Sequence, residues 1–192
     1  MKKNEKKGII TQVAQKIFSR YGLLKTTVDE IAKAARMGKA SLYHYFKSKE
    51  DIFREVVEKE NKLLTEKIQE AINKVDSPME KIRMYIITRM NYLNELANIH
   101  SALTDDYLDH YAFIEKIRKK NFHEEIETIK NILKEGVKEK IFKIRDIELT
   151  SFTIISALKG LEYPWTVETP LVEMEKNIDK LLEILFNGIV ER

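Results

Sequence analysis

The sequence predicts an all-α protein of about nine helices. Apolar residues recur three and four apart, strand-like alternation is absent, and only 6 Gly and 3 Pro punctuate 192 residues. Ile10, Val13, Ala14, Ile17, Phe18 and Tyr21 form a first stripe, which Gly22 ends. Thr27 caps a second, short helix with Val28, Ile31, Ala32 and Ala35 inward, and Glu30 three residues later completes a capping box. "RMG" breaks it, and a third helix is expected from Lys39 to Phe46. Ser48 caps a fourth, with Asp51 at its third position, continuing toward Asn73.

"DSPME" starts the next helix: Ser77 is the cap, Pro78 the first helical residue, and Glu80 closes the box. That helix carries Ile82, Tyr85, Ile86, Met90, Leu93 and Leu96, with Met84, Ile87 and Tyr92 on other faces, so it reads as central and buried. A weaker segment covers 98–111. A long helix with Ile117, Phe122, Ile126, Ile129, Leu133 and Val137 follows. "DIELTSFTIISALKGLEY" and "VEMEKNIDKLLEILFNGIVE" are the last two helices, with "PWTVETP" as the loop between them.

The chain has no cysteine, which excludes disulfides and thiolate metal sites and fits a reducing compartment. No stretch reaches the roughly 18 uninterrupted apolar residues that a membrane span needs. A cytoplasmic protein with no membrane partner is the expectation. Charge divides the chain unevenly. Residues 1–50 hold 12 Lys/Arg against 4 Asp/Glu, a net +8, while the remainder nets −5. A basic module facing a polyanion joined to an acidic one predicts two domains, 1–50 and 51–192.

The third helix sharpens that reading. In "KASLYHYFKSK", Leu42 and Phe46 fall on one face with Tyr45 beside them; Lys39, Ala40, Tyr43, His44 and Lys47 fall on the other. The first set packs inward. The second exposes an aromatic among cations, which fits a nucleic-acid groove where a phenol touches a thymine methyl or donates to phosphate. Helix 28–35, a turn containing Gly38 and helix 39–46 make a helix-turn-helix whose second helix enters the major groove. Lys49 opens the following helix, where free backbone N–H groups favour an anion.

"TTVDEIAKAARMGKASLYHYFKSKEDIF" resembles the N-terminal domain of the TetR family of bacterial transcriptional regulators. The shared pattern is a Thr-capped helix, a four-residue turn, an L-Y-x-Y-F recognition helix and a K-x-K-E/D segment, and it covers roughly residues 10–55. The resemblance implies a helix-turn-helix DNA-binding domain over 1–50 and a ligand-binding and dimerisation domain over 51–192. It implies a dimeric repressor that a small apolar ligand releases from a palindromic operator of double-stranded DNA. Thr27 would bond phosphate besides capping its helix. Lys39, Ala40 and Tyr43 would face bases, and Ser41, His44 and Lys49 phosphates. Ala40 stands where Gly is common and Gly38 where Ser or another cap is common. These departures put the operator sequence in doubt and leave the fold intact.

Small residues Thr153, Ser156, Ala157 and Gly160 form one face of the penultimate helix, near Leu161; the last helix offers Ile178, Leu181, Leu182, Leu185 and Ile189. Packing within the chain and packing between two copies account for them equally well. The resemblance assigns them to a homodimer interface. A ligand pocket among the middle helices draws its candidate lining from Met84, Ile87, Met90, Tyr92, Tyr107, Tyr111, Phe113, Phe122 and Trp165, residue types that suit an apolar ligand. An anionic headgroup, if the ligand carries one, would meet Arg89 or Arg118.

Two other function classes fit an all-α chain less well. A helical-bundle enzyme would need Glu-x-x-His pairs, and none of the 4 histidines has a Glu three residues before it. No His-Glu-x-x-His, Gly-rich phosphate loop or Gly-x-Ser-x-Gly elbow occurs, so no catalytic residue, metal or cofactor is expected. An all-α adaptor that binds only protein is the other alternative, and it leaves the basic outer face of the third helix unexplained.

Overall fold

The structure, a computed structural model, describes residues 3–95, 107–167 and 170–188. Eight helices occur among them and no strand: α1 (Lys3–Lys25), α2 (Val28–Ala34), α3 (Lys39–Tyr43), α4 (Lys49–Ile72), α5 (Pro78–Glu95), α6 (Tyr107–Lys138), α7 (Ile147–Val167) and α8 (Leu171–Asn187). The expected segment 98–111 lies mostly outside the described residues, as do Leu96 and Ile189. The chain forms two compact units. The first comprises Met1–Leu63 and Leu96–Arg118, the second Leu64–Glu95 and Lys119–Arg192.

In the first unit, Ile10, Ala14 and Phe18 of α1 are buried together with Ile31 and Ala32 of α2, Leu42 of α3 and Phe46 just beyond it. The packing continues past residue 50, where the charge pattern changes. Ile52, Phe53, Val56 and Val57 of α4 are also buried, and the Phe53 ring meets Phe18 edge-on at 5.2 Å. Lys7 pairs with Glu55 at 2.6 Å, and Gln15 donates to the buried Glu60 at 2.9 Å. Gly22 takes a left-handed φ of 75° inside α1, so the chain bends where glycine permits it.

In the turn between α2 and α3, Gly38 stands at the N-cap of α3, as the sequence-based reading has it. The left-handed residue of that turn is Arg36, at φ 55°, not Gly38, which is extended at φ −73°. The Arg36 amide donates to the Lys33 carbonyl and the Met37 amide to the Ala32 carbonyl, which closes a Schellman motif without glycine. The α-helical part of α3 ends at Tyr43 rather than Phe46. The next turn tightens, with His44 donating to Ser41 and Tyr45 to Leu42, while the Phe46 amide still bonds the Leu42 carbonyl at 3.1 Å. Leu42 and Phe46 thus both stay in the core.

In the second unit α5 is central, as its all-round apolar pattern predicts, and it packs against α7 and α8. Ile82, Tyr85, Ile86 and Met90 are buried with Ile129, Ile132 and Leu133 of α6, Ile154, Ile155 and Leu158 of α7, and Met174, Ile178 and Leu182 of α8. α7 runs through Pro164 to Val167, into the segment read as a loop. Proline removes one donor and crowds the carbonyl four residues back, at Gly160, which weakens a helix there without forbidding it.

α6 ends in a second Schellman motif. Lys140 is left-handed at φ 61°, and the Ile141 and Phe142 amides donate to the Gly136 carbonyl at 2.8 and 3.0 Å. This folds the Phe142 ring over Gly136 and stacks it on Phe186 at 5.9 Å. A Cβ at Gly136 would overlap the Phe142 ring atoms Cδ2 and Cε2. Gly136→Ala gains up to about 1 kcal/mol of helix propensity but costs roughly 1–3 kcal/mol in overpacking. A net loss of stability is expected in urea denaturation; a variant as stable as the parent would contradict this placement of Phe142.

Candidate nucleic-acid interface

The helix-turn-helix is built by local chemistry. Thr27 caps α2 through a complete capping box. Its Oγ1 accepts from the Glu30 amide at 3.3 Å, and both its amide and its hydroxyl donate to Glu30 Oε2, at 2.7 and 2.8 Å. These bonds, the backbone one foremost, hold the Glu30 carboxyl below its ordinary pKa. Ile31 and Ala32 anchor α2 from below, and Leu42 fixes α3 to the same core. Ser48 caps α4 by accepting from the Asp51 amide at 3.2 Å, and Asp51 in turn accepts from the Lys47 amide at 3.1 Å.

Each residue assigned to DNA by the sequence stands at the surface. Thr27, Lys39, Ala40, Ser41, Tyr43 and His44 are exposed, and Lys49 is half-buried. Lys39, Ala40 and Tyr43 share one side of α3 by their spacing. Two of the cations already have protein partners. Lys39 Nζ sits 3.0 Å from Asp29 Oδ2, whose hydrogen bond and charge raise the Lys39 pKa. Lys49 Nζ donates to the Leu24 carbonyl at 3.3 Å. The sequence foresaw Glu30 at Thr27 through the capping box; it did not foresee that Asp29 would hold Lys39.

In the second unit the residues proposed for ligand and dimer contacts separate into groups. Met90 is fully enclosed, and Met84, Ile87, Tyr92 and Phe122 are half-buried. Lys67 lies beside the Tyr92 phenol and the Glu70 carboxylate, which raise its pKa, so Tyr92 is not a lone hydroxyl. Phe122 meets Phe152 edge-on at 6.0 Å, with Lys159 Nζ 5.5 Å from its ring centre. The side chains of Tyr107, Tyr111, Phe113, Arg118 and Trp165 lie outside the described residues.

Of the dimer candidates, Thr153, Ala157, Gly160 and Leu185 are exposed, and Ser156, Leu161 and Leu181 are half-buried. Ile178 and Leu182 face the interior of one copy, at 0 % and 5 % exposure. With Met174 they form the four-residue repeat that α8 turns inward, and the outer apolar side belongs to Leu181, Ile184 and Leu185.

Arg89, which the sequence offered to a ligand headgroup, lies inside the second unit. It is 3 % exposed and fully engaged on one side. Its Nε donates to Glu125 at 2.7 Å, and its Nη2 donates to Glu162, a residue only 1 % exposed. Burial pulls the Arg89 pKa down, but the charges of Glu125 and Glu162 outweigh it and hold the value above its ordinary level. Buried beside them, the Tyr85 phenol is pushed well up, first by burial and then by the Glu125 charge. Two carboxylates against one guanidinium leave no surplus positive charge for an anionic headgroup. No group of three or more His, Asp or Glu that could hold a metal occurs among the described residues, nor any helix long and apolar enough to cross a membrane.

An all-α chain that presents an exposed, cation-flanked second helix of a helix-turn-helix is a DNA-binding transcriptional regulator by architecture. Residues 10–56 match the model of the bacterial regulatory proteins of the tetR family. The chain is 28 % identical to the HTH-type transcriptional regulator QacR of Staphylococcus aureus over 95 % of this chain and 97 % of that one. It is 26 % identical to the HTH-type transcriptional regulator YhgD of Bacillus subtilis over 94 % of each. Its fold superposes with a TM-score of 0.72 on FadR of Bacillus subtilis in complex with stearoyl-CoA, at 24 % identity, covering 95 % of this chain and 98 % of that one. The match to the tetR family model thus covers most of α1, the whole helix-turn-helix and the start of α4. Both relatives are described as HTH-type transcriptional regulators.

Proposed function

We propose that the chain is a dimeric repressor that binds a palindromic operator through α3 and leaves it when a long-chain acyl compound binds the second unit. The observation that carries the DNA reading is the split of the α3 segment. Leu42 and Phe46 are sealed in the core, while Lys39, Ala40, Tyr43 and His44 face solvent. The acyl reading is supported by the half-buried Met84 and Ile87 on the central helix and by the stearoyl-CoA carried by a protein of the same fold. The headgroup is not assigned to Arg89, whose charge Glu125 and Glu162 already balance.

Ligand and operator must weaken each other by the same factor, typically about 1–3 kcal/mol of coupling. The test is binding of the duplex upstream of the coding region, with and without stearoyl-CoA. Release by stearoyl-CoA but not by a sugar phosphate is the expected result; the reverse pattern would sink the acyl reading alone. Contact roles separate by substitution. Tyr43→Ala should cost about 1–3 kcal/mol on the operator and little on random DNA. Lys49→Ala should weaken both alike and flatten the salt dependence by about one unit. A changed base preference in Lys49→Ala with an intact salt slope would refute these assignments.

A further inference from the structure

The first turn of α2 carries two carboxylates, and each lies on a donor of the DNA-facing set. Glu30 takes the hydroxyl and amide of Thr27, and Asp29 takes the ammonium of Lys39. The Glu30 contact is explained by capping, since a Glu at that position completes the box. The Asp29 contact is not. Asp29 Oδ2 reaches 3.0 Å across the turn to the first residue of α3, and both side chains are more than half exposed. An exposed pair of this kind adds little to folding. Its charge, however, stands where the phosphate backbone would approach.

We infer that Asp29 is a specificity-determining residue: it neutralises Lys39 in the free protein and so suppresses binding to arbitrary DNA. A cation already paired with a carboxylate gains less from a phosphate, because its pair must open before it can release a counterion from the DNA. Bringing Asp29 and a phosphate to the same ammonium sets two anions against each other. Non-specific affinity comes almost wholly from phosphate neutralisation, so it falls. Specific affinity is protected, because contacts between α3 and base edges compensate for opening the pair. Asp29 therefore widens the ratio between operator and background without touching a base. The inference rests on the proposed DNA-facing role of α3.

The test uses the full-length protein and a random-sequence duplex, so no operator is needed. Binding is measured by fluorescence anisotropy across a salt series for the parent, Asp29→Asn, Lys39→Met and the double variant. Asp29→Asn should bind the random duplex about three- to tenfold more tightly per copy near 0.1 M salt, with a salt slope steeper by about 0.9. The gain should vanish in the Lys39→Met background, which a merely structural role of Asp29 would not produce. An unchanged slope in Asp29→Asn, or a gain that survives Lys39→Met, would overturn the inference and leave the DNA reading standing. Failure of parent and variants alike to bind any duplex would overturn both.

Discussion

Arg89→Met is expected to destabilise the chain by about 3–5 kcal/mol, read as a shift in the urea unfolding midpoint at constant slope. The guanidinium lies between α5, α6 and α7, with Glu125 on one helix and Glu162 on the other. Both acids bond it, and both are shielded: Glu162 has 2 % side-chain exposure and Glu125 18 %. Removing the cation leaves two carboxylates in a low-dielectric interior, where solvation cannot replace it. The cost is one of uncompensated charge, not of lost area. Changing all three together, to Arg89→Met, Glu125→Leu and Glu162→Leu, should therefore recover most of the loss. The exposed pair of Arg83 with Asp179, 2.8 Å apart, supplies the contrast. Asp179→Asn should cost roughly 0–1 kcal/mol. If Arg89→Met and Asp179→Asn proved equal, the triad would not be holding the three helices together.

The triad also marks where sequence reasoning stopped. The helices were legible because their stripes, caps and breakers agree. The Thr27–Glu30 box, the Ser48 cap and Pro78 at the first position of α5 all stand where those signals put them. Arg89 sits in register with Ile82, Tyr85 and Ile86, and Glu162 in register with Ile154, Ile155 and Leu158. A charge on each of two buried stripes was a visible sign of an internal pair. It was missed because an arginine beside candidate pocket residues suggested a ligand headgroup instead. The Schellman turns at Arg36 and Lys140 carried no such sign, since a left-handed residue is anticipated only where glycine or asparagine stands.

The interface was legible by residue and not by partner. Spacing alone exposes Lys39, Tyr43 and His44 and buries Leu42 and Phe46. It cannot say that Asp29, ten residues earlier, reaches Lys39, because that depends on the angle the turn sets between α2 and α3. The same limit affected α8. A helix rich in leucine has enough apolar residues for two faces, and only the packing of α5 decides which of them turns inward. Ile178 and Leu182 went to that side, and Leu181, Ile184 and Leu185 stayed toward the outer side.

Gly160→Leu is expected to convert the proposed dimer to a monomer while leaving each copy folded. A Cβ at Gly160 meets no atom within 4 Å, so the larger side chain strains nothing inside one copy. Helix propensity even favours the change by up to about 1 kcal/mol. Gly160 continues an exposed, uncharged strip of α7 formed by Leu149, Phe152, Thr153 and Ala157. An exposed apolar strip of this kind is the surface that a second copy would cover. Close approach of two such helices depends on small side chains, and leucine holds them apart. A single recognition helix reads too little DNA to select a palindrome, so operator affinity should fall by on the order of a hundredfold, roughly 3 kcal/mol. Ile178→Ala separates the two effects. That residue is wholly buried within one copy, and its truncation should cost about 2–5 kcal/mol of folding stability instead. Sedimentation velocity and thermal melting of both variants decide the matter: a Gly160→Leu protein that stays dimeric with full operator affinity places the interface elsewhere on the chain.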